Sequence, residues 1–147
     1  MRSLIVLRFF LAALFIISGG EKALGPYQNF LYVVQNYEIF PPFLEEIIAR
    51  ALPWVELFLG IFLLLGLWLK AALRGSFVLF AGFVMVVSQA MVRDLPITEC
   101  GCFGALISFP LYVVLIFDTT MFFVTLLLIR KFDAVSSLSL DKRFELT

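Results

Sequence analysis

Apolar residues fall into four long blocks separated by short polar or aromatic stretches. The first block runs from about Ser3 to Gly20 and is interrupted by Arg8. The second runs from about Ala51 to Leu69 with Glu56 as its one charge. The third covers Ser76 to Val92 without any charge, and the fourth covers Phe109 to Ile129 with Asp118 as its one charge. A hydrocarbon core takes ~17–25 apolar residues per crossing, and all four blocks meet that length. Backbone groups inside a bilayer find no partners in the lipid, so each crossing is expected to be a helix. The pattern predicts an all-α integral membrane four-helix bundle. Residues 1–130 form the membrane domain, and residues 131–147 form a polar, mobile or surface-lying cytoplasmic tail.

Composition agrees with that reading. Hydrophobic residues make up 63% of the chain of 147 residues and charged residues 15%, with 18 phenylalanines. A soluble domain is roughly half apolar and about a quarter charged. Eleven basic residues balance eleven acidic ones, so nothing favours nucleic acid as a partner. Histidine is absent, which excludes histidine-based catalysis, zinc ligation and proton relays.

Charge bias orients the chain. With the N-terminus inside, Arg2, Arg8, Lys70, Arg74, Arg130, Lys131, Lys142 and Arg143 lie on the inner side, against Lys22, Arg50 and Arg93 outside. The expected topology is N-in and C-in, with two loops outside. The first span resembles a signal peptide in outline but has no clean cleavage site and contains Arg8, so it is expected to stay in the membrane. Lys70 to Gly75 is read as the tight inner turn. The long outer loop from Glu21 to Arg50 carries Tyr27, Phe30, Tyr32, Tyr37, Phe40 and Phe43, which suggests an aromatic belt on the membrane surface. After Pro41-Pro42, Leu44 to Arg50 reads as the start of a helix running into the second span.

Polar residues inside the spans are costly and therefore candidates for function. Glu56 shares a helix face with Pro53 and Gly60, so it points into the bundle. Gly75, Gly82 and Gln89 recur every seven residues on one face of the third span, and Ser18 and Lys22 close the first span at the height of Glu56. Lys22, Glu56 and Gln89 are the candidate cofactor-binding residues, with a structural Lys22–Glu56 tie as the alternative. Asp118 reads as a cap or an interhelical hydrogen bond.

The second outer loop holds Cys100 and Cys102 within Thr98-Glu99-Cys100-Gly101-Cys102-Phe103-Gly104. Bridging across one residue requires a strained turn, which Gly101 permits. Strained, accessible disulfides are the labile or catalytic kind. Such a short bridge closes almost no loop, so it would add little stability. Cys100 and Cys102 are therefore the candidate catalytic pair. Inert thiols, or capture of a soft metal ion completed by other ligands, are the alternatives, and no resident metal is expected.

The run Cys100-Gly101-Cys102-Phe103-Gly104 resembles the signature of the MauE (methylamine utilisation) proteins within the wider DoxX-like membrane family. Gly20-Glu21-Lys22, Leu52-Pro53-Trp54-Val55-Glu56-Leu57 and the stretch from Gly60 to Gly66 resemble it too. The resemblance implies a four-helix inner-membrane protein working beside a periplasmic thioredoxin-like partner in the maturation of methylamine dehydrogenase or another disulfide-containing exported protein. DoxX-like relatives are linked to quinone-dependent sulfur oxidation. The layout is also similar to vitamin K epoxide reductase-like proteins, which implies a quinone as electron carrier. The chain departs from that last group in having Cys-x-Cys and no second pair. The expected function is thus a thiol–disulfide relay. The alternative is a non-catalytic scaffold that docks a periplasmic protein through Tyr27, Tyr32 or Phe40. A small-solute transporter is a third, weaker reading, and a homo-oligomer is compatible with all three.

Overall fold

A computed structural model describes residues 2–97 and 109–140 of the chain. Cys100 and Cys102 lie outside the described residues. Four long helices form the bundle: α1 (Arg2–Leu24), α3 (Pro42–Leu65), α4 (Leu69–Val92) and α5 (Leu111–Arg130). All four are long and apolar enough to cross a membrane. A shorter helix, α2 (Tyr27–Asn36), lies between α1 and α3, and a helical turn, α6 (Phe132–Val135), follows α5. The fold is an all-α membrane helical bundle, as the hydropathy pattern predicts.

The helices associate as two pairs, α1 with α3 and α4 with α5. The first pair is held by glycines. A Cβ on Gly19 would lie 2.6 Å from the backbone nitrogen of Leu57, and one on Gly60 would lie 2.8 Å from that of Ile16. Lipid offers apolar side chains as good an environment as a neighbouring helix does, so close backbone approach and van der Waals packing must hold such a pair. The α4–α5 contact relies instead on bulk, with Phe77 against Phe122 at 4.6 Å between ring centroids. Phe15 and Phe80, at 5.2 Å, join the two pairs. The recurrence of Gly75, Gly82 and Gln89 does not mark a comparable seam. Gly75 meets the Leu59 side chain, whereas a Cβ on Gly82 would touch nothing within 4 Å.

Large residues on the outer surface, including Phe58, Val78, Met85, Ile116 and Phe123, are exposed to the surroundings, as lipid-facing positions should be. Four hydroxyls of α4 and α5 stay in their own helices. Ser76, Thr119, Thr120 and Thr125 each donate to the carbonyl four residues back.

Three local features differ from the sequence expectations. The tight turn falls at Gly66–Trp68, and Lys70 to Gly75 are helical. Gly66 adopts a left-handed conformation (φ +69°), and the amides of Gly66 and Leu67 both return to the Phe62 carbonyl, which closes α3 early. As expected after Pro41-Pro42, Leu44 to Arg50 is helical and runs without a break into the second span, in a helix that begins at Pro42. The aromatic loop is not a surface belt throughout: α2 packs on α3, and Tyr37 is buried with Val87, Ala90 and Val114. The segment after Arg130 folds back under the bundle up to Leu140. Val135 is fully buried, Arg8 donates to the Val135 carbonyl at 3.1 Å, and Ser139 lies against Gly66.

Candidate functional site

The buried polar site lies toward the end of the bundle where α1 finishes and α5 begins. Glu56 projects from the face of α3 that also carries Pro53, Gly60 and Leu63, all buried. Gly19 lets α1 approach that face closely, which brings Ser18 and Lys22, one helical turn apart, onto the carboxylate. Lys22 Nζ donates to Glu56 Oε1 at 3.1 Å, to Glu56 Oε2 at 3.0 Å and to Ser18 Oγ at 3.0 Å. Ser18 Oγ in turn donates to Glu56 Oε2 at 3.1 Å. The ammonium has three donors, so these bonds use all of them. Its outer face also lies 4.9 Å from the ring centroid of Phe30 on α2.

Both charged side chains are almost entirely buried, at 2% and 1% exposure. A lone buried charge at this depth would be severely destabilising, whereas a fully hydrogen-bonded pair is tolerated. The sequence places these residues at one height, and the structure brings Lys22, Ser18 and Glu56 into one network.

Asp118 joins them. A cavity of about 30 Å³ is lined by Leu14, Phe15, Ser18, Glu56, Phe80, Phe83, Phe117 and Asp118. The cap or interhelical hydrogen bond expected for Asp118 did not place it in this site. Matching depths would have done so. Ser18 lies six residues before the end of α1 and Asp118 seven after the start of α5, each about 10 Å along its axis. Gln89 is not on this cavity's wall. It is half buried near the end of α4, and its buried side-chain oxygen has no partner among the described residues.

Lys22 also lines a larger, open groove of about 360 Å³ on the other side of the network, with Tyr27, Arg50, Pro53 and Trp54. Arg50 lies 4.8 Å over the Tyr27 ring and pairs with Glu46 at 2.6 Å. The 30 Å³ cavity is far too small for a quinone ring, whereas the groove is within the ~300–1,000 Å³ usual for small-molecule sites.

The cysteine segment itself is outside the described residues, but its two flanks are not. Ile97 and Leu111 both pack against the cluster of Tyr37, Val87, Ala90 and Val114. Arg93, just before the segment, donates to the Glu38 carbonyl at 3.2 Å and meets its carboxylate at 3.5 Å. The two long loops are thereby tied together at the end of the bundle that holds the buried network.

These features define a multi-pass helical membrane protein with a charged tie between two spans, toward the end that holds Ile97 and Leu111, the flanks of the Cys-x-Cys segment. The family described as methylamine utilisation protein MauE matches residues 1–131, and the chain belongs to that family. A relative from Methylophilus methylotrophus, named methylamine utilization protein MauE, is 32% identical over 90 residues, which are 61% of this chain and 47% of the relative. The chain thus spans about half the length of the curated relative it matches. No solved structure matches it.

Proposed function

We propose that this chain is an accessory membrane protein of methylamine utilisation that passes electrons through Cys100 and Cys102. Membership of the MauE family supports the pathway. The observation that carries the relay is the convergence at one end of the bundle. Both flanks of the Cys-x-Cys segment are anchored on the Tyr37 cluster, and the buried network and the open groove lie toward that same end. That end faces the periplasm in the N-in, C-in topology that the charge bias favours.

In the disulfide-forming direction, a partner thiolate attacks one sulfur of the Cys100–Cys102 bridge and forms a mixed disulfide. The partner's second thiolate then displaces the cysteine, leaving a disulfide in the partner and a dithiol here. Two electrons have moved to the pair, which must be reoxidised. A quinone, by accepting two electrons and two protons, would restore the bridge. The groove beside Lys22, Tyr27, Arg50 and Trp54 has the volume and the aromatic walls for one. Lys22 is held by Glu56 and Ser18, so its own part is to fix the groove's inner wall. The partner is a periplasmic thioredoxin-like protein.

Thiol trapping in intact cells with a membrane-impermeant reagent tests this directly. Labelling of Cys100 and Cys102 only after mild reduction is the expected result. Cys100→Ser and Cys102→Ser should each stop partner turnover while the protein still inserts. Undiminished turnover in the double variant would leave the scaffold reading, in which exposed Tyr32 of α2 is the first docking residue to replace.

A further inference from the structure

The cavity between Glu56 and Asp118 lies where the two helix pairs meet, with Ser18 and Glu56 on the α1–α3 side and Asp118 on the α4–α5 side. Leu14, Phe15, Phe80, Phe83 and Phe117 complete the wall, and Glu56 and Asp118 are both buried. A void enclosed only by such apolar side chains would stay empty. One with two carboxyl groups and a hydroxyl on its wall is different, because a water needs two to four polar partners and ~10–15 Å³ of free space. This cavity offers about 30 Å³, enough for one water and at most two.

We propose that this cavity is a water site and that its water bridges the Glu56 and Asp118 carboxyl groups across the two helix pairs. Water suits the position because it serves either form of a carboxyl group. It donates to a carboxylate oxygen and accepts from a carboxylic acid, so the bridge survives a proton moving on or off either residue. Lys22 cannot take its place. Its three donors are already used by Glu56 and Ser18. The bridge makes Asp118 part of the same hydrogen-bonded unit as Lys22, Ser18 and Glu56. It also provides a polar link between the pairs where Phe15 and Phe80 provide the apolar one. The inference is independent of the thiol relay and stands or falls without it.

Radiolytic hydroxyl-radical footprinting of the full chain in nanodiscs, read by mass spectrometry, tests it. Radicals generated from an internal water modify the side chains around that water, while lipid-facing rings are shielded. Phe15, Phe80, Phe83 and Phe117 should be modified several-fold faster than Phe58 and Phe123, which face outward. Asp118→Leu, which removes a polar wall and fills the space, should bring the four rings down to the lipid-facing rate, and Asp118→Asn should leave them labelled. Equal slow labelling of all six rings in the unaltered protein means a dry cavity and overturns the proposal. That comparison needs no variant, so it decides the matter even if Asp118→Leu fails to fold. Fast labelling that persists in a folded Asp118→Leu protein would show that the water is not held by Asp118 and would equally overturn it.

Discussion

Helix α1 carries two buried cations, Arg8 near one end and Lys22 near the other, fourteen residues or roughly 21 Å apart. The fold answers them differently. Lys22 is met by a carboxylate and a hydroxyl from the two most tightly packed helices, with every donor used. Arg8 reaches the main-chain carbonyl of Val135, in a segment that returns beneath the bundle after the last span. One cation closes a charge balance inside the membrane domain, and the other tethers a piece of chain to it. Neutralising a buried charge with an opposite charge binds two elements into a pair that neither can leave singly. A hydrogen bond from a cation to a backbone carbonyl is a weaker and more local restraint than a buried ion pair.

The largest expected effect follows from that contrast. Glu56→Leu strands the Lys22 ammonium, and removing one partner of a buried pair costs about 3–5 kcal/mol. Thermal unfolding in detergent should show a large loss of stability, and Lys22→Met alone should do nearly the same by stranding Glu56. The double variant Lys22→Met/Glu56→Leu should recover most of the loss, because two apolar side chains of similar volume suit a membrane interior. If the double variant is stable and thiol exchange with the partner is also intact, the network is architectural. If it is stable and exchange is lost, the network acts in the relay.

Next comes the seam that presents Lys22 to Glu56. Gly19→Leu places a side chain where a Cβ would already lie 2.6 Å from the Leu57 nitrogen and 2.7 Å from the Pro53 carbonyl oxygen. Backbone atoms cannot swing aside, so α1 and α3 must separate. Overpacking costs about 1–3 kcal/mol or more, and here it should also loosen the ion pair. Gly82→Ala is the matched control, since a Cβ there meets nothing within 4 Å. It should hold stability level or raise it by up to about 1 kcal/mol through helix propensity. Chemical denaturation of the two variants side by side measures the difference.

The same contrast separates what could be read from the sequence from what could not. Span length and hydropathy locate four crossings because the bilayer imposes that length whatever the side chains pack against. Pro53, Glu56 and Gly60 sit on one helix face by spacing alone, and all three are buried. Lys22 and Glu56 can be matched because counting residues along the first two apolar blocks puts them at one height. Asp118 is harder to assign, because no spacing within one helix relates it to Glu56 on another; only depth does. The returning segment after Arg130 is polar enough to look like a free tail. Its burial depends on Arg8 and Gly66, residues more than fifty positions away in the chain. Tyr37 is likewise hidden in an aromatic loop in which Tyr32 and Phe43 do face outward.

Arg8 therefore gives a prediction of its own. Arg8→Met removes the guanidinium that holds the Val135 carbonyl and also removes a buried charge. The lost hydrogen bond is worth about 1.5–3 kcal/mol, and relief from burying the charge offsets part of it. The net effect on global unfolding should be about 1–2 kcal/mol, smaller than for Glu56→Leu. The clearer sign should be local: limited proteolysis should cut between Phe132 and Leu140 faster in the variant, while the spans stay protected. Equal cutting rates would mean that burial of Val135 and the Ser139–Gly66 contact hold the segment without Arg8.

The smallest effect should come from the exposed counterpart of the buried pair. Arg50 and Glu46 are also a cation and a carboxylate in contact, 2.6 Å apart and one helical turn from each other, but their side chains are 60% and 50% exposed. Water and salt compete for both groups, and holding two long side chains in place costs entropy, so such pairs contribute ~0.2–1 kcal/mol. The Tyr27 ring beneath the guanidinium adds a comparable amount at an exposed site. Arg50→Ala should thus lower stability by about 1 kcal/mol or less in low salt, and raising the salt concentration should shrink that difference. The Lys22–Glu56 double-mutant coupling, sealed from solvent, should not change with salt. A coupling at Lys22–Glu56 that faded with salt as the Arg50 effect does would mean that water reaches the network freely, and the distinction between a buried tie and a surface pair would fail.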